Sequence, residues 1–194
     1  MKKVIRTAAM VALMFATATG MANDTKLNVD TAKNVKSLVF EMDDNSGVTK
    51  IKLVDADNHV IYSESIANAS YAKKFDLKAL NNGLYYFTSE NSLKTVVYTV
   101  KVAGDDVTII EKRENAKPVF RKKSGMVYLN LLNLGLKDVE ISVYDSSNRL
   151  VFSEKRENEM IIEKSFNFKK AYKDSYTVVV KDDNDTYYEN IVIN

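Results

Sequence analysis

Cysteine is absent from all 194 residues. No disulfide can staple the chain, no thiolate nucleophile is available, and no lipobox cysteine can carry a lipid. Histidine occurs once, as His59, and proline once, as Pro118. One histidine and no thiol leave the usual zinc ligand sets incomplete and a nucleophilic triad without its parts. His59 follows Asp57-Asn58 and reads as a surface residue beside a turn. Also missing are a Gly-x-Ser-x-Gly elbow, a phosphate-cradling glycine loop and a dinucleotide fingerprint. No amphipathic helix of ten or more residues can be traced beyond the first 22. These absences point away from an enzyme and give no metal or cofactor a place to bind.

Charge is nearly balanced, with 28 Lys+Arg against 26 Asp+Glu. Lys2, Lys3 and Arg6 open the chain, and an acid-free apolar run follows from Thr7 to Thr19. Gly20-Met21-Ala22 then places small residues where a signal peptidase cuts. Residues 1–22 are therefore expected to be a cleaved signal peptide, too short to serve as a membrane span. The apparent pI of 8.5 belongs mostly to that leader. Without it, the acids exceed the bases by one, which removes any electrostatic case for nucleic acid. The rest is expected to be exported, to the periplasm, cell surface or extracellular space.

What the chain does contain is a repeat. Residues 51–64 read IKLVDADNHVIYSE and residues 141–154 read ISVYDSSNRLVFSE. At an offset of 90, Ile51, Asp55, Asn58, Ser63 and Glu64 return as Ile141, Asp145, Asn148, Ser153 and Glu154. Further on, Phe75, Lys78 and Tyr85 return as Phe166, Lys169 and Tyr176 at an offset of 91. A period this long suits two tandem domains better than a solenoid. The expected division is a leader over 1–22, one domain over 23–103 and another over 104–194, with the seam at Ala103-Gly104-Asp105-Asp106.

Short runs rich in Val, Ile, Tyr and Thr dominate both halves, separated by Asn, Asp and Gly turns. The fold class is all-β: two tandem immunoglobulin-like antiparallel β-sandwiches, each of about seven strands. Apolar pairs at matching positions should face the cores: Ile51/Ile141, Leu53/Val143, Tyr62/Phe152, Phe75/Phe166, Leu77/Phe168, Tyr85/Tyr176, Phe87/Val178, Val100/Ile191 and Val102/Ile193. Lys50/Glu140 and Lys52/Ser142 should face water. Tyr86, Tyr98 and Tyr187 are expected to point outward.

Two acidic clusters, Asp55 with Asp57 and Asp182 with Asp183 and Asp185, raise calcium as a reading. Neither has the spacing of a calcium loop, and solvated turns explain them better. The most informative segment is Phe75-Asp76-Leu77-Lys78-Ala79-Leu80-Asn81-Asn82-Gly83-Leu84-Tyr85. Gly83 should supply a left-handed turn before a strand, and Tyr85 should turn inward to tie a corner to backbone. Asp174 and Tyr176 occupy the matching turn and corner of the second copy.

This Asp-Leu-x-x-Leu-x-x-Gly-x-Tyr segment, with its preceding strand, turn and following hairpin, resembles the C-terminal sorting domain of the type IX (Por) secretion system. The likeness is good over 48–102 and weaker over 138–193. It implies a seven-stranded sandwich in an exported bacterial protein. The function expected is a non-catalytic binding or structural module whose partner is an unknown protein or glycan at the cell envelope. The alternative is a type IX cargo whose C-terminal sandwich is the sorting domain.

Overall fold

The computed structural model describes residues 24–29, 36–183 and 185–193. The expected signal peptide lies outside the described residues. Among those described there is no helix, and every strand pairing is antiparallel.

The first unit holds eight strands: β1 (Asp24–Val29), β2 (Ser37–Asp43), β3 (Thr49–Asp55), β4 (Val60–Ile66), β5 (Ser70–Asp76), β6 (Gly83–Glu90), β7 (Lys94–Ala103) and β8 (Asp106–Ala116). The second holds seven: β9 (Val119–Lys123), β10 (Met126–Leu132), β11 (Val139–Tyr144), β12 (Leu150–Arg156), β13 (Ile161–Asn167), β14 (Asp174–Lys181) and β15 (Thr186–Ile193). Sheets of order β1-β2-β5 and β4-β3-β6-β7-β8 make the first sandwich. Sheets of order β9-β10-β13 and β12-β11-β14-β15 make the second. Apart from β8, the two topologies superimpose strand for strand. The resemblance reaches irregularities, since both hairpins carry a register shift at the same repeat position, Leu53/Val54 and Val143/Tyr144.

Period-2 burial explains why these segments are strands. β3 and β6 alternate between core and solvent along most of their length. Ile51, Phe87 and Val100 of the first unit, with Ile141, Val139 and Val178 of the second, are fully buried. Each unit closes its own core, and the two clusters share no residue. Tyr62 meets Phe75 edge-on at 5.1 Å, and the equivalent Phe152 meets Phe166 at 5.7 Å. Such edge-to-face pairs are worth about 0.5–1.5 kcal/mol beyond the area they bury.

Three expectations are corrected here. Tyr98 is buried, because it shares parity with Val100 and Val102; its hydroxyl donates to the Thr25 carbonyl at 3.0 Å. Tyr187 has the parity of Ile191 and packs, half-buried, against the second core, whereas Tyr86, between Tyr85 and Phe87, is half-exposed. Ser142, expected in water, is buried with its hydroxyl 3.4 Å from that of Ser153 on the paired strand.

The stretch expected as a seam is a hairpin turn. Ala103 faces Asp106, Gly104 sits at φ +61°, and β8 runs back along the whole of β7 until Ala116 faces Lys94. Val107 and Ile109 of β8 pack against the first core. The chain thus leaves the first sandwich at its β6–β7 turn, where the Lys117 amide donates to the Leu93 carbonyl at 2.7 Å and Lys117 Nζ meets Glu90 at 2.6 Å. After Pro118, β9 enters the second sandwich at the end that holds its own β14–β15 turn. Glu114, Asn115 and Ala116 there share a small cleft with Asn133, Lys137 and Asp182. The two copies meet by equivalent ends, and their β3–β4 and β11–β12 loops lie at the ends remote from the junction.

Candidate functional site

Several polar arrangements are duplicated among the described residues, and three of them can be built from the repeated residues. The first is the hairpin loop. Asp55 accepts from the amides of Asp57 (3.0 Å) and His59 (2.8 Å), and its second oxygen lies 3.0 Å from His59 Nδ1. Asp145 accepts from Ser147 and Arg149 amides (both 3.0 Å) and from Arg149 Nε at 2.7 Å. These backbone bonds, with the donor side chain, hold both carboxyls below the usual carboxylate range. Asn58 and Asn148 sit at φ +64° and +58°, the left-handed conformation that Asn tolerates. Turn geometry therefore accounts for the recurrence of Asp and Asn in both copies. Asp55, Asp57 and His59 can bring three ligand atoms within 4.8 Å of one another. The second copy has Asp145, Ser147 and Arg149 there, with a guanidinium on the carboxylate.

The second arrangement bridges β4 to β5 at the sandwich edge. Lys73 Nζ lies 3.0 Å from Glu64 Oε2 and 4.5 Å from the centroid of the Tyr62 ring. Glu64 also accepts from the hydroxyls of Tyr62 and Tyr71, the latter at 2.7 Å. The Tyr62 hydroxyl first, then Tyr71 and Lys73, hold the Glu64 carboxyl down at about 2. Burial, then the adjacent carboxylate, pushes Tyr71 up to about 12. In the second copy Lys164 pairs with Glu154 and lies 4.6 Å over the Phe152 ring. A carboxylate held this low is a poor proton acceptor at neutral pH. The arrangement clamps two sheets together. Sequence reading found Glu64 and Glu154 but missed their partners, although Lys73 and Lys164 stand at the same offset of 91.

The third is the corner. The Tyr85 hydroxyl donates to the Asn81 carbonyl at 2.8 Å, and Tyr176 to the Tyr172 carbonyl at 3.2 Å. Gly83 does not form the expected left-handed turn. It opens β6 at φ +159°, a positive φ well outside the left-handed turn region and one that side-chain-bearing residues rarely adopt, with nothing within 4 Å of a built Cβ. Asp174 opens β14, accepts from the Ser175 amide at 2.8 Å, and is bonded by Ser146, which lowers its pKa. Ala56 stands at the Ser146 position in the first copy, so Gly83 and Ala56 are replaced together by a bonded pair.

The cluster at Asp182 is also a turn. The Asp182 amide donates to the Asp185 carbonyl at 3.0 Å, and the Asp182 carboxylate accepts the Asp185 amide at 2.8 Å. Asn91 plays the same part for Leu93 and Lys94 in the first copy.

The topology and corner above are those of an immunoglobulin-like sandwich. Residues 26–103 match the family model described as the secretion system C-terminal sorting domain. The resemblance read from Asp76 to Tyr85 falls inside that match. No curated protein sequence matches the chain. Among solved structures, the BSP domain of a biofilm associated protein is similar at 10% identity and a TM-score of 0.28, covering 82% of this chain and 27% of that one. This chain thus spans about a quarter of that protein's length. A two-fibronectin-type-III segment of chicken tenascin aligns at 8% identity and a TM-score of 0.32, covering 88% and 98%. A β-glucuronidase from an uncultured Clostridium aligns at 9% and 0.29, covering 82% and 35%.

Proposed function

We propose that the chain is exported and works at the cell envelope as a non-catalytic binding or structural module. The observation that carries this reading is the sorting-domain match over residues 26–103, which supports export. The lack of catalytic activity is supported by the use made of the repeated polar groups. Asp55, Asp145, Glu64 and Glu154 are each engaged by turn amides or sheet-edge cations, which leaves none poised as a general base. Separation of cells into cytoplasm, periplasm, outer membrane and medium tests the reading. The chain is expected outside the cytoplasm with its first residues removed; cytoplasmic retention of the intact chain would overturn it.

The sorting reading is favoured by the same match. In it, a sandwich of this chain is the signal recognised by the type IX system, and the chain is cargo. Residues 24–116 and 117–194, each fused behind a reporter that carries a signal peptide, separate the two readings in a type IX-competent host. A reporter delivered to the cell surface by either fusion supports sorting; periplasmic reporters in both cases support the module alone.

A further inference from the structure

Equivalent ends meet at the junction, so the two remote ends carry the same loops, and their charges are opposite. At the remote end of the first sandwich, the described loops carry Asp55, Asp57, Asp105 and Asp106 against Lys78. Lys36, also at this end, is buried and donates to the Leu80 carbonyl at 2.8 Å. At the remote end of the second, Arg149, Lys169, Lys170 and Lys173 stand against Asp145 and Asp174, which are bonded respectively by the Arg149 side chain and by Ser146 with the Ser175 amide. Asp57, Asp105, Asp106, Lys169, Lys170 and Lys173 are all exposed, and none has an ion-pair partner among the described residues.

Each of these ends also bears an apolar pair where an edge strand begins. Val60 and Ile61 on β4 are 59% and 41% exposed, and the equivalent Leu150 and Val151 on β12 are 56% and 52% exposed. Both strands lie at the margin of their sheet with one backbone edge unpaired. Tyr172, 88% exposed, stands among the lysines of the basic end. Exposed apolar side chains on an open edge are what a partner strand or surface covers.

We infer that the acidic end of one molecule docks on the basic end of a second copy of this chain. The complementary charge selects the register and speeds encounter, while burial of Val60, Ile61, Leu150, Val151 and Tyr172 supplies most of the affinity. The two docking surfaces differ, so the contact is heterologous. Each added molecule leaves one acidic and one basic end open, and the product is a linear chain of molecules rather than a closed dimer.

Sedimentation velocity of the chain as isolated from cells, over a range of concentration and salt, provides the test. At about 50 mM salt a ladder of species should grow with concentration, and it should collapse toward monomer by about 0.5 M, where the screening length is only a few ångströms. D57K/D105K/D106K makes both ends basic, and K169E/K170E/K173E makes both acidic. Each variant alone should stay monomeric while keeping the circular dichroism and melting temperature of the parent. An equimolar mixture should assemble again, because every basic end then finds an acidic one. A monomer at all concentrations, a species that stops at dimer, assembly by either variant alone, or a mixture that stays monomeric would each overturn the inference.

Discussion

The Tyr98 hydroxyl and the Thr25 carbonyl, 73 residues apart in the chain, meet at 3.0 Å in the interior of the first sandwich. The contact ties β7, in the five-stranded sheet, to β1 in the sheet that faces it. Tyr98→Phe keeps the ring in the core but removes the hydroxyl that reaches the Thr25 carbonyl. We expect a loss of about 1–2 kcal/mol, the usual cost when a buried acceptor loses its donor. Urea unfolding checks this, and an unchanged midpoint would show that water reaches the carbonyl.

Acid should loosen the β4–β5 clamp in a definable window. Glu64 has its carboxyl held at about 2, against 4.5 for the unperturbed group. The unfolded chain therefore binds the proton first, and the stability contributed by Glu64 is fully present above about 4.5. It declines as pH falls from there and is lost through about 2. The midpoint of unfolding should drop over that range, and Glu64→Gln should flatten the drop. Equal acid sensitivity in parent and variant would argue against the clamp.

Glycine matters more at 125 than at 83. Both sit at positive φ, +75° and +159°, but a Cβ built at Gly125 also meets Lys169 Cγ at 3.0 Å, while one at Gly83 meets nothing within 4 Å. Gly125→Ala is expected to destabilise by about 1 kcal/mol or more, and Gly83→Ala by clearly less. Thermal melts of the two variants side by side decide the order.

Truncation should respect β8. A fragment ending at Ala103 exposes the whole β7 edge and removes Val107 and Ile109 from the first core. A fragment ending at Ala116 keeps both. The longer one is expected to unfold cooperatively at clearly higher denaturant than the shorter. Similar midpoints would mean that β8 is an appendage.

The repeat made much of this fold readable. Ile51, Asp55 and Asn58 with their partners at 141, 145 and 148 gave the central hairpins, since a period-2 apolar pattern and an Asx turn are local in sequence. The three-stranded sheets were harder to see. β5, SYAKKFD, and β9, VFRKK, are polar on their outer face and carry few inward apolar residues, so composition alone does not separate them from loops. The place of β8 is not legible in the sequence because a hairpin turn and a linker can share the sequence Ala-Gly-Asp-Asp; the pairing with β7 distinguishes them. The Lys73–Glu64 clamp was hidden for a related reason. It joins two strands whose sequence distance says nothing of which faces meet. The opposite charge of the two ends became visible only once the loops at 55–59, 77–82 and 104–106 were known to share one end.

The return of the chain along β7 also sets how the molecule bears load. If the two sandwiches are drawn apart, the pull reaches the first through Lys117 and Pro118 and acts along the axis of β8. All ten rows that pair β8 with β7, from Lys94–Ala116 to Ala103–Asp106, then resist together in shear. They cannot be opened one by one, as a strand peeled sideways from its sheet would be. The joint between the halves is thus built as a lap splice, and a pull along its axis meets the whole length of the overlap at once.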